Sequence, residues 1–238
     1  MIIESLYPED CSYFGDNGNL LLLKTSLPQA ECYSDHFGSE PYFVKHTPDF
    51  LLMGGMSERV QERVICELLP YRQRLRELIE QDVVILFTSH ACEVLFQYIE
   101  KENGEHIPAL NLYPLWAKRN MMKRFNCHFI GHDNQGEIIM GYKSQFTLAY
   151  GENPHPWLQV ERGAGSNLNA TTEGIHEHQL YATYLLGPLL TMNPPFTQKL
   201  LQSKNPQAKC AFMAEGMAAY QRHLAEFKNP ATAFFEKD

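Results

Sequence analysis

Residues 83–95 read Val-Val-Ile-Leu-Phe-Thr-Ser-His-Ala-Cys-Glu-Val-Leu, and this stretch decides the fold class. Its first five residues form an uninterrupted β-branched, aliphatic and aromatic run, which is typical of a parallel strand covered on both faces. The next four residues predict a sharp turn, and Val94, Leu95 and Tyr98 predict a following helix that Asn103-Gly104 closes. Strand, turn and helix in succession are the unit from which doubly wound α/β sheets are built.

The segments before this unit continue the α/β pattern. Residues 2–6 and 49–53 predict strands, and the second of them ends in the turn Gly54-Gly55. The amphipathic stretch 57–81 predicts a helix that Pro70 breaks or kinks, since proline lacks the N–H of an internal helical turn. Residues 16–19, Asp-Asn-Gly-Asn, predict a turn or the cap of a helix over 20–25.

The second half of the chain predicts shorter strands and a helical tail. The predicted strands cover residues 125–130, 137–142, 146–150 and 180–186. The tail over 206–227 is predicted to be a helix with one apolar face, because Phe212, Met213, Met217, Tyr220 and Leu224 recur at three- and four-residue steps.

Length and composition set limits on the function. The 238 residues suit one large domain, or one domain with an appended helical piece, and 44% hydrophobic with 20% charged residues is ordinary for a globular protein. A formal charge of −8 argues against a nucleic acid as the main partner. The longest apolar runs are too short to span a bilayer, and residues 1–5 do not begin a signal peptide. Six scattered cysteines predict reduced thiols and a cytoplasmic protein.

The turns after two predicted strands are the places to expect chemistry. In a parallel sheet, ligands gather at the carboxyl ends of the strands, here Gly54-Gly55 and residues 88–93. A nucleophile at a strand-to-helix elbow is exposed and lies near backbone N–H donors for an oxyanion. We therefore expect a Cys or Ser at the elbow and a His delivered from elsewhere.

Four segments in order resemble a known family. They are Leu6-Tyr7-Pro8 with 13–19 (Tyr-Phe-Gly-Asp-Asn-Gly-Asn), 49–55 (Asp-Phe-Leu-Leu-Met-Gly-Gly), the elbow, and 183–190 (Thr-Tyr-Leu-Leu-Gly-Pro-Leu-Leu) with Asn193-Pro194. They are similar to the glutamine amidotransferase subunit of bacterial lipid II isoglutaminyl synthase, which is related to cobyric acid synthase amidotransferase domains. The resemblance spans residues 2–202. It implies a three-layer, flavodoxin-like α/β domain over 1–202. Past the resemblance, we expect residues 203–238 to form a C-terminal helical extension packed on the same domain.

The chain departs from this family at two catalytic positions. The family's elbow, Cys-Gly-Gly-Tyr-Gln-Leu-Leu, aligns with residues 89–95, so Ser89 stands in place of the nucleophilic cysteine. Leu186 stands in place of the family's catalytic histidine. A serine hydroxyl is not ionised near neutral pH and needs a base, which leucine does not supply. We therefore expect glutamine hydrolysis by the thioester route to be absent.

Some substrate contacts are predicted to survive. Arg124 aligns with an arginine that is a candidate for holding the glutamine carboxylate by a bidentate contact. The alternative is a surface arginine in a basic run with Lys118, Arg119 and Lys123. Gly54 and Gly55 either keep oxyanion-hole geometry or permit a tight turn.

At the elbow itself, His90 and Ala91 replace glycines that let the backbone close around a substrate. We accordingly place His90 among the positions that line the substrate site, together with Gly54, Gly55 and Arg124.

A rebuilt nucleophile is the alternative to an inactive site. Ser89 with His90 is one version, although adjacent residues rarely aim at each other. Cys92 with His176 or His178 is another, since a helix N-terminus would lower the pKa of that thiol; simple packing is the competing interpretation. His176 and His178 on a strand would share one face, but no cysteine or carboxylate completes a metal set. We predict neither a metal nor a cofactor.

Three functions follow from these residues. The first is a non-catalytic subunit or regulator of a Mur-ligase-like synthetase that amidates peptidoglycan precursors, which is the partner that the resemblance implies. The second is an active amidohydrolase or acyl-transfer enzyme with a rebuilt nucleophile, Ser89 or Cys92. The third is a module that binds glutamine or a related amino acid without turnover.

Overall fold

A computed structural model of the chain describes residues 1–233. The strands are β1 (Ile2–Ser5), β2 (Glu31–Ser34), β3 (Phe50–Met53), β4 (Val84–Phe87), β5 (Tyr98–Glu100), β6 (His106–Pro108), β7 (Leu115–Arg119), β8 (Phe125–His132), β9 (Ile138–Gln145), β10 (Thr147–Gly151), β11 (Pro156–Arg162), β12 (Thr172–Glu177) and β13 (Leu180–Ala182). The helices are α1 (Asn17–Ser26), α2 (Glu58–Leu68), α3 (Arg72–Glu80), α4 (Leu189–Met192), α5 (Pro194–Lys204) and α6 (Met213–Lys228). Short 3₁₀ turns cover Tyr42–Val44, Leu69–Tyr71 and Ser89–Leu95.

Nine strands form the main sheet in the order β2-β1-β3-β4-β13-β12-β11-β8-β9. The first five are parallel to one another, and the remaining neighbours are antiparallel. Counted in chain order, the parallel part has the arrangement 2-1-3-4-5 of doubly wound flavodoxin-like sheets. A second sheet, of four strands in the order β10-β7-β5-β6, lies beside the main one.

Strand β4 lies between β3 and β13, and both of its faces are buried, as its sequence predicts. Because side chains alternate along a strand, Val84 and Leu86 join the cluster that contains the apolar residues of α1 and α5. Ile85 and Phe87 join the opposite cluster, with α2, α3 and the second sheet. The main sheet is therefore the middle of three layers.

The prediction of a helix after the elbow is wrong. All seven residues of Ser89–Leu95 are buried in a 3₁₀ turn, which leaves no solvated face for an amphipathic helix. The chain then enters β5, where Tyr98 and Ile99 pair with Trp116 and Ala117 of β7. Aromatic and β-branched side chains suit such a half-buried strand, and this pairing prevails over the helical spacing.

The predicted break at Pro70 is confirmed. Helix α2 ends at Leu68, the 3₁₀ turn Leu69–Tyr71 carries the proline, and α3 starts at Arg72. No helix within residues 1–233 has the length and apolar character needed to cross a membrane.

The helical tail begins later than predicted, at Met213. Phe212 precedes the helix with a left-handed φ of 54° and is 67% exposed, so it does not belong to the buried face. Tyr220 packs with Ile130 and Met140, and its hydroxyl donates to Ile138 O at 3.0 Å. Helix α6 therefore covers part of the antiparallel half of the main sheet.

Candidate functional site

Asp16 joins the opening motif to the elbow. It is 5% exposed, and its Oδ1 accepts a hydrogen bond from Thr88 Oγ1 at 2.6 Å, while Oδ2 accepts one from Phe14 N at 3.2 Å. A Cβ added to Gly54 or Gly187 would lie 2.2–2.3 Å from Asp16 atoms, so both positions require glycine for space. The four segments that carry the family resemblance thus meet at one carboxylate.

The structure gives Asp16 a different role from the helix cap that its position suggests. Its side chain makes no capping hydrogen bond to α1. The sequence did not single out Asp16 as a site residue; the available signal was its place between Gly15 and Gly18 in the opening motif.

Ser89 occupies a sharp backbone elbow. Its φ of +57° lies in the left-handed region, which is uncommon for residues other than glycine, and its N–H donates to Leu185 O at 2.8 Å. The side chain is only 1% exposed. A Cβ on Gly55 would lie 3.0 Å from Ser89 Oγ and 2.9 Å from the Phe14 ring, so this position beside the hydroxyl has no room for a side chain.

The contact between Ser89 and His90 differs from the prediction. We expected these neighbours not to aim at each other, but Ser89 Oγ lies 3.1 Å from His90 Nδ1. The left-handed elbow accompanies this unusual geometry. The other ring nitrogen, Nε2, is buried and has no hydrogen-bond partner among the described residues.

His90 and Arg124 line one cavity of about 130 Å³. The structure therefore brings together these two predicted site residues. The Arg124 guanidinium is exposed and stacks over Phe146, 4.6 Å from the ring centroid. Gln145, which the sequence did not single out, lines the same cavity; its Nε2 donates to Thr147 O at 2.7 Å and its Oε1 has no partner within residues 1–233.

Leu186 lies next to the elbow but faces a neighbouring cavity. The carbonyl that binds Ser89 N belongs to Leu185, and Leu186 N donates to Tyr142 O at 2.9 Å. Leu186 lines a cavity of about 200 Å³ together with Cys127 and Lys143. Ser144 on β9 lines both this cavity and the His90–Arg124 cavity.

The strand that carries Leu186 in the prediction is shorter than expected. Strand β13 ends at Ala182, because Thr183 Oγ1 donates to Glu173 Oε2 at 2.7 Å and accepts from Leu185 N at 3.0 Å. Thr183 N still donates to Phe87 O of β4 at 2.9 Å, and the side-chain turn follows it.

Solved structures share the fold of this chain. A crystal structure of a glutamine amidotransferase has a TM-score of 0.51 with 14% identity, covering 84% of this chain and 97% of that one. A glutamine amidotransferase from Thermotoga maritima has a TM-score of 0.50 with 8% identity, covering 93% and 92%. This chain has the glutamine amidotransferase fold.

Two proteins that are similar to the chain in sequence are subunits of a glutamine-hydrolyzing enzyme. The chain is 25% identical over 207 residues to the GatD subunit of lipid II isoglutaminyl synthase (glutamine-hydrolyzing) from Streptococcus pneumoniae (strain ATCC BAA-255 / R6), covering 84% of this chain and 78% of that protein. It is 27% identical over 157 residues to the corresponding subunit from Staphylococcus aureus (strain N315), covering 65% and 63%. No family model matches the chain.

Within this amidotransferase fold, Cys92 has the environment of a packing residue. It is 2% exposed in the 3₁₀ turn, and burial raises the pKa of its thiol well above the ordinary value. The prediction that a helix N-terminus lowers this pKa fails, because no α-helix starts here.

The two histidines considered as partners for Cys92 have other contacts. His178 Nδ1 lies 3.1 Å from Asp82 Oδ1, and His176 Nε2 lies 3.0 Å from His178 O. In the part of the chain that the structure describes, no three His, Cys, Asp or Glu side chains form a group that could hold a metal.

The proposed basic run around Arg124 is not one surface patch. Arg119 is 7% exposed, donates to Glu62 Oε1 at 2.9 Å and to Gln61 Oε1 at 3.0 Å, and so lies in the interior. Gln61 in turn donates to His90 O at 2.7 Å. This hydrogen-bond network holds the backbone of the elbow at His90.

Proposed function

We propose that this chain is a glutamine amidotransferase-like subunit without glutaminase activity, which binds and regulates a Mur-ligase-like synthetase that amidates cell-wall precursors. The observation that carries the proposal is the elbow: its backbone geometry is present, but it holds a covered serine, with leucine at the adjacent position 186. The relatives are named as subunits of a glutamine-hydrolyzing lipid II isoglutaminyl synthase, which supports both the pathway and a synthetase partner.

The chemistry at the elbow supports an inactive site. Acyl transfer from glutamine needs a nucleophile that reaches the carboxamide carbon and a base that takes its proton. Ser89 is only 1% exposed, and Leu186 offers no lone pair. Cys92, with its raised pKa, does not supply the missing thiolate.

An ammonia-release assay tests the loss of activity. We expect the purified chain, incubated with L-glutamine, to release no more ammonia than its Ser89→Ala variant. Ammonia release that disappears in Ser89→Ala or Cys92→Ala would overturn the proposal. The assay is repeated with the synthetase partner added, because a partner can complete an active site.

A purification from native cells tests the partner. We expect the tagged chain to co-purify with a Mur-ligase-like synthetase in a fixed ratio, at the size of a heteromer on gel filtration. Cells that carry the untagged chain are the control. Recovery of the chain alone would contradict the proposed subunit role. We place this complex in the cytoplasm, in keeping with the six free cysteines.

The second candidate function is an amidohydrolase or acyl-transfer enzyme with Ser89 as nucleophile. The observation in its favour is the 3.1 Å distance between Ser89 Oγ and His90 Nδ1, which is within reach for proton transfer. The 1% exposure of Ser89 opposes it. A p-nitrophenyl ester assay separates the two candidates, since only the enzyme forms an acyl-serine that mass spectrometry assigns to residue 89.

A further inference from the structure

Two buried carboxyl groups hold the loop between β2 and β3. Glu4 of β1 is fully buried, and Asp35, directly after β2, is 6% exposed. Glu4 Oε1 accepts a hydrogen bond from Phe43 N at 3.0 Å, and Asp35 Oδ1 accepts one from Tyr42 N at 3.2 Å. Because Tyr42 and Phe43 are consecutive, their N–H groups tie both carboxyls to one 3₁₀ turn. We call residues 36–46, which contain this turn, the latch loop.

The second oxygen of each carboxyl indicates a shared hydrogen. Glu4 Oε2 and Asp35 Oδ2 are buried and have no N–H or hydroxyl partner within residues 1–233. Burial, and then the hydrogen bond with Asp35, raise the pKa of Glu4 to about 9. Two ionised carboxylates only accept hydrogen bonds, and two that share one site do not both ionise. One proton between the two side chains gives both of these oxygens a partner.

The neighbouring groups place this proton on Glu4. Burial raises the pKa of Asp35, but its contacts with Glu4, Tyr42 N and His36 favour its ionised form. Asp35 is therefore the acceptor of the pair and Glu4 the donor.

The remaining titratable and charged groups near the pair do not compete with it. They are Tyr7 after β1, Glu67 of α2, which lies near Tyr7, and Arg74 of α3. Burial raises the pKa of the Tyr7 hydroxyl well above its ordinary value, so this group stays protonated while the pair titrates. Arg74 donates to Phe43 O at 3.0 Å and to His46 O at 2.8 Å, and its guanidinium is charged at every pH considered. The hold of α3 on the latch loop is therefore independent of pH.

We infer that Glu4 and Asp35 share one proton as a carboxyl–carboxylate pair, and that this pair is a pH-sensitive latch that holds residues 36–46 against β1 and β2. While the proton is present, both carboxyls are paired and the loop is closed. As the pH rises, the Glu4 O–H bond breaks and the proton passes to hydroxide, which leaves two negative charges side by side in the interior. Opening of the loop hydrates them, because a buried charge without a partner is costly.

The latch loop is suited to such local opening. Within it, only Pro41 and Phe43 are buried, and the other residues are exposed or half-buried. Segments with few buried apolar contacts open at a small cost in free energy while the rest of the protein stays folded. The latch does not depend on whether the elbow hydrolyses glutamine.

Hydrogen exchange of the Phe43 amide, followed by NMR, measures the latch directly, because this N–H donates to Glu4. The comparison is with Glu4→Gln, whose amide keeps an acceptor for Phe43 N and supplies a hydrogen to Asp35 at every pH. We expect equal exchange rates at pH 7. Between pH 9 and 10 the ratio of the wild-type rate to the Glu4→Gln rate should rise by up to about tenfold, the limit for the loss of one proton. The ratio cancels the pH dependence of exchange itself, and a constant ratio from pH 7 to 10 would overturn the inference.

Amide substitutions at both carboxyls test the shared proton at neutral pH. Glu4→Gln and Asp35→Asn each supply one hydrogen to the pair, so we expect each single variant to exchange the Phe43 amide within about threefold of the wild-type rate. In the double variant both amide oxygens are needed by Tyr42 N and Phe43 N, so the two NH₂ groups face each other, and turning either amide moves the clash to a backbone N–H. We expect the double variant to exchange at least about tenfold faster than either single variant. A pair linked by charge alone would be relieved by two neutral side chains, so slow exchange in the double variant would refute the shared proton.

Glu40→Gln is the matched control. Glu40 forms an ion pair with Lys45 on the solvent side of the latch loop, so the substitution removes a negative charge from the same loop without changing the buried pair. We expect Phe43 exchange in Glu40→Gln to keep the wild-type rise between pH 9 and 10. Urea titration of each variant shows that it is folded. Loss of this rise in Glu40→Gln, to the extent seen in Glu4→Gln, would assign the opening to the overall charge of the loop and contradict the latch.

Discussion

Ser89 lies at a sharp backbone elbow and is only 1% exposed. Its left-handed φ of +57° is held by the N–H contact to Leu185 O and by the neighbouring Thr88, which is tied to Asp16. Strained backbone conformations persist where the surroundings over-determine them. The geometry of this elbow is therefore a property of the packed motifs around it.

Arg124 is predicted to hold the carboxylate of the ligand. We expect Arg124→Ala to weaken L-glutamine binding by about ten- to a hundredfold, the range for a charged hydrogen bond of about 1.5–3 kcal/mol. Its exposure and its stacking on Phe146 imply little change in melting temperature. Lys123→Ala, next in the chain and also exposed, is the control. Calorimetry measures the affinity of both variants for L-glutamine. Equal losses of affinity would mean that positive charge alone, without a specific contact, is responsible.

Cys92 is predicted to be chemically inert in the folded protein. Burial and a raised pKa both suppress the thiolate that reacts with electrophiles. With iodoacetamide at pH 8, we expect the exposed Cys66 to be alkylated in the native state and Cys92 only after unfolding. Peptide mass spectrometry over a time course measures both. Alkylation of Cys92 as fast as Cys66 would revive it as a candidate nucleophile.

At the scale of elements, the opening motif (residues 13–19) packs on the closing motif (residues 183–190). Asn19 Oδ1 accepts from Leu190 N at 2.9 Å, and a Cβ on Gly18 would lie 2.8 Å from Pro188. Asn193 links helices α4 and α5 to β9: its Oδ1 accepts from Met140 N, and its Nδ2 donates to Met140 O, each at 2.9 Å. These amides hold together segments that are distant in the chain.

Asn193→Ala is predicted to destabilise the protein strongly. The substitution leaves the N–H and C=O of Met140 buried without their partner, and each lost pairing costs about 1–3 kcal/mol. We expect a loss of about 3 kcal/mol in the free energy of unfolding, measured by urea titration. Asn134→Ala, at an exposed turn, is the control and should change it by less than about 0.5 kcal/mol. A loss below 1 kcal/mol for Asn193→Ala would show that water replaces the amide.

At the scale of the whole molecule, the core surrounds a sheet whose central strands are apolar on both faces. Several acidic groups lie inside it, and Glu4, Glu93 and Glu173 are fully buried. Glu4 of β1 is fully buried, and its Oε1 accepts from Phe43 N at 3.0 Å. Burial, and then the hydrogen bond and negative charge of Asp35, raise the pKa of Glu4 to about 9. The folded protein accordingly keeps a proton there at neutral pH.

This proton makes stability fall as pH rises. The unfolded chain releases the proton near the ordinary pKa of 4.5, and the folded chain releases it near 9. The stabilisation that this proton gives the folded state is therefore complete below pH 4.5 and is lost as the pH rises through 9. The slope from this group is at most about 1.4 kcal/mol per pH unit. We expect Glu4→Gln, which is neutral at every pH, to show a smaller loss of unfolding free energy between pH 6 and 9. Parallel urea titrations across that range compare the wild-type protein with Glu4→Gln. Identical slopes of the unfolding free energy against pH would contradict the assignment.

The sequence by itself determined the parallel core, and it predicts a loss at the catalytic positions. The run 83–87 predicts a strand buried on both faces because only apolar side chains tolerate that environment, and Pro70 predicts a helix break because it lacks an N–H. The family motifs locate Ser89 and Leu186 for the same local reason: each is a side chain at a known place in a short pattern.

Only the tertiary structure decided what surrounds the elbow. The helical spacing of Val94, Leu95 and Tyr98 gave way to a 3₁₀ turn and β5, because the partner strand β7 lies further along the chain and its pairing is not encoded locally. The cavity shared by His90, Arg124 and Gln145 likewise joins residues 21 to 55 positions apart, with no periodic pattern between them. Local periodicity specifies which face of an element is buried, whereas long-range packing specifies which polar atoms end up facing each other.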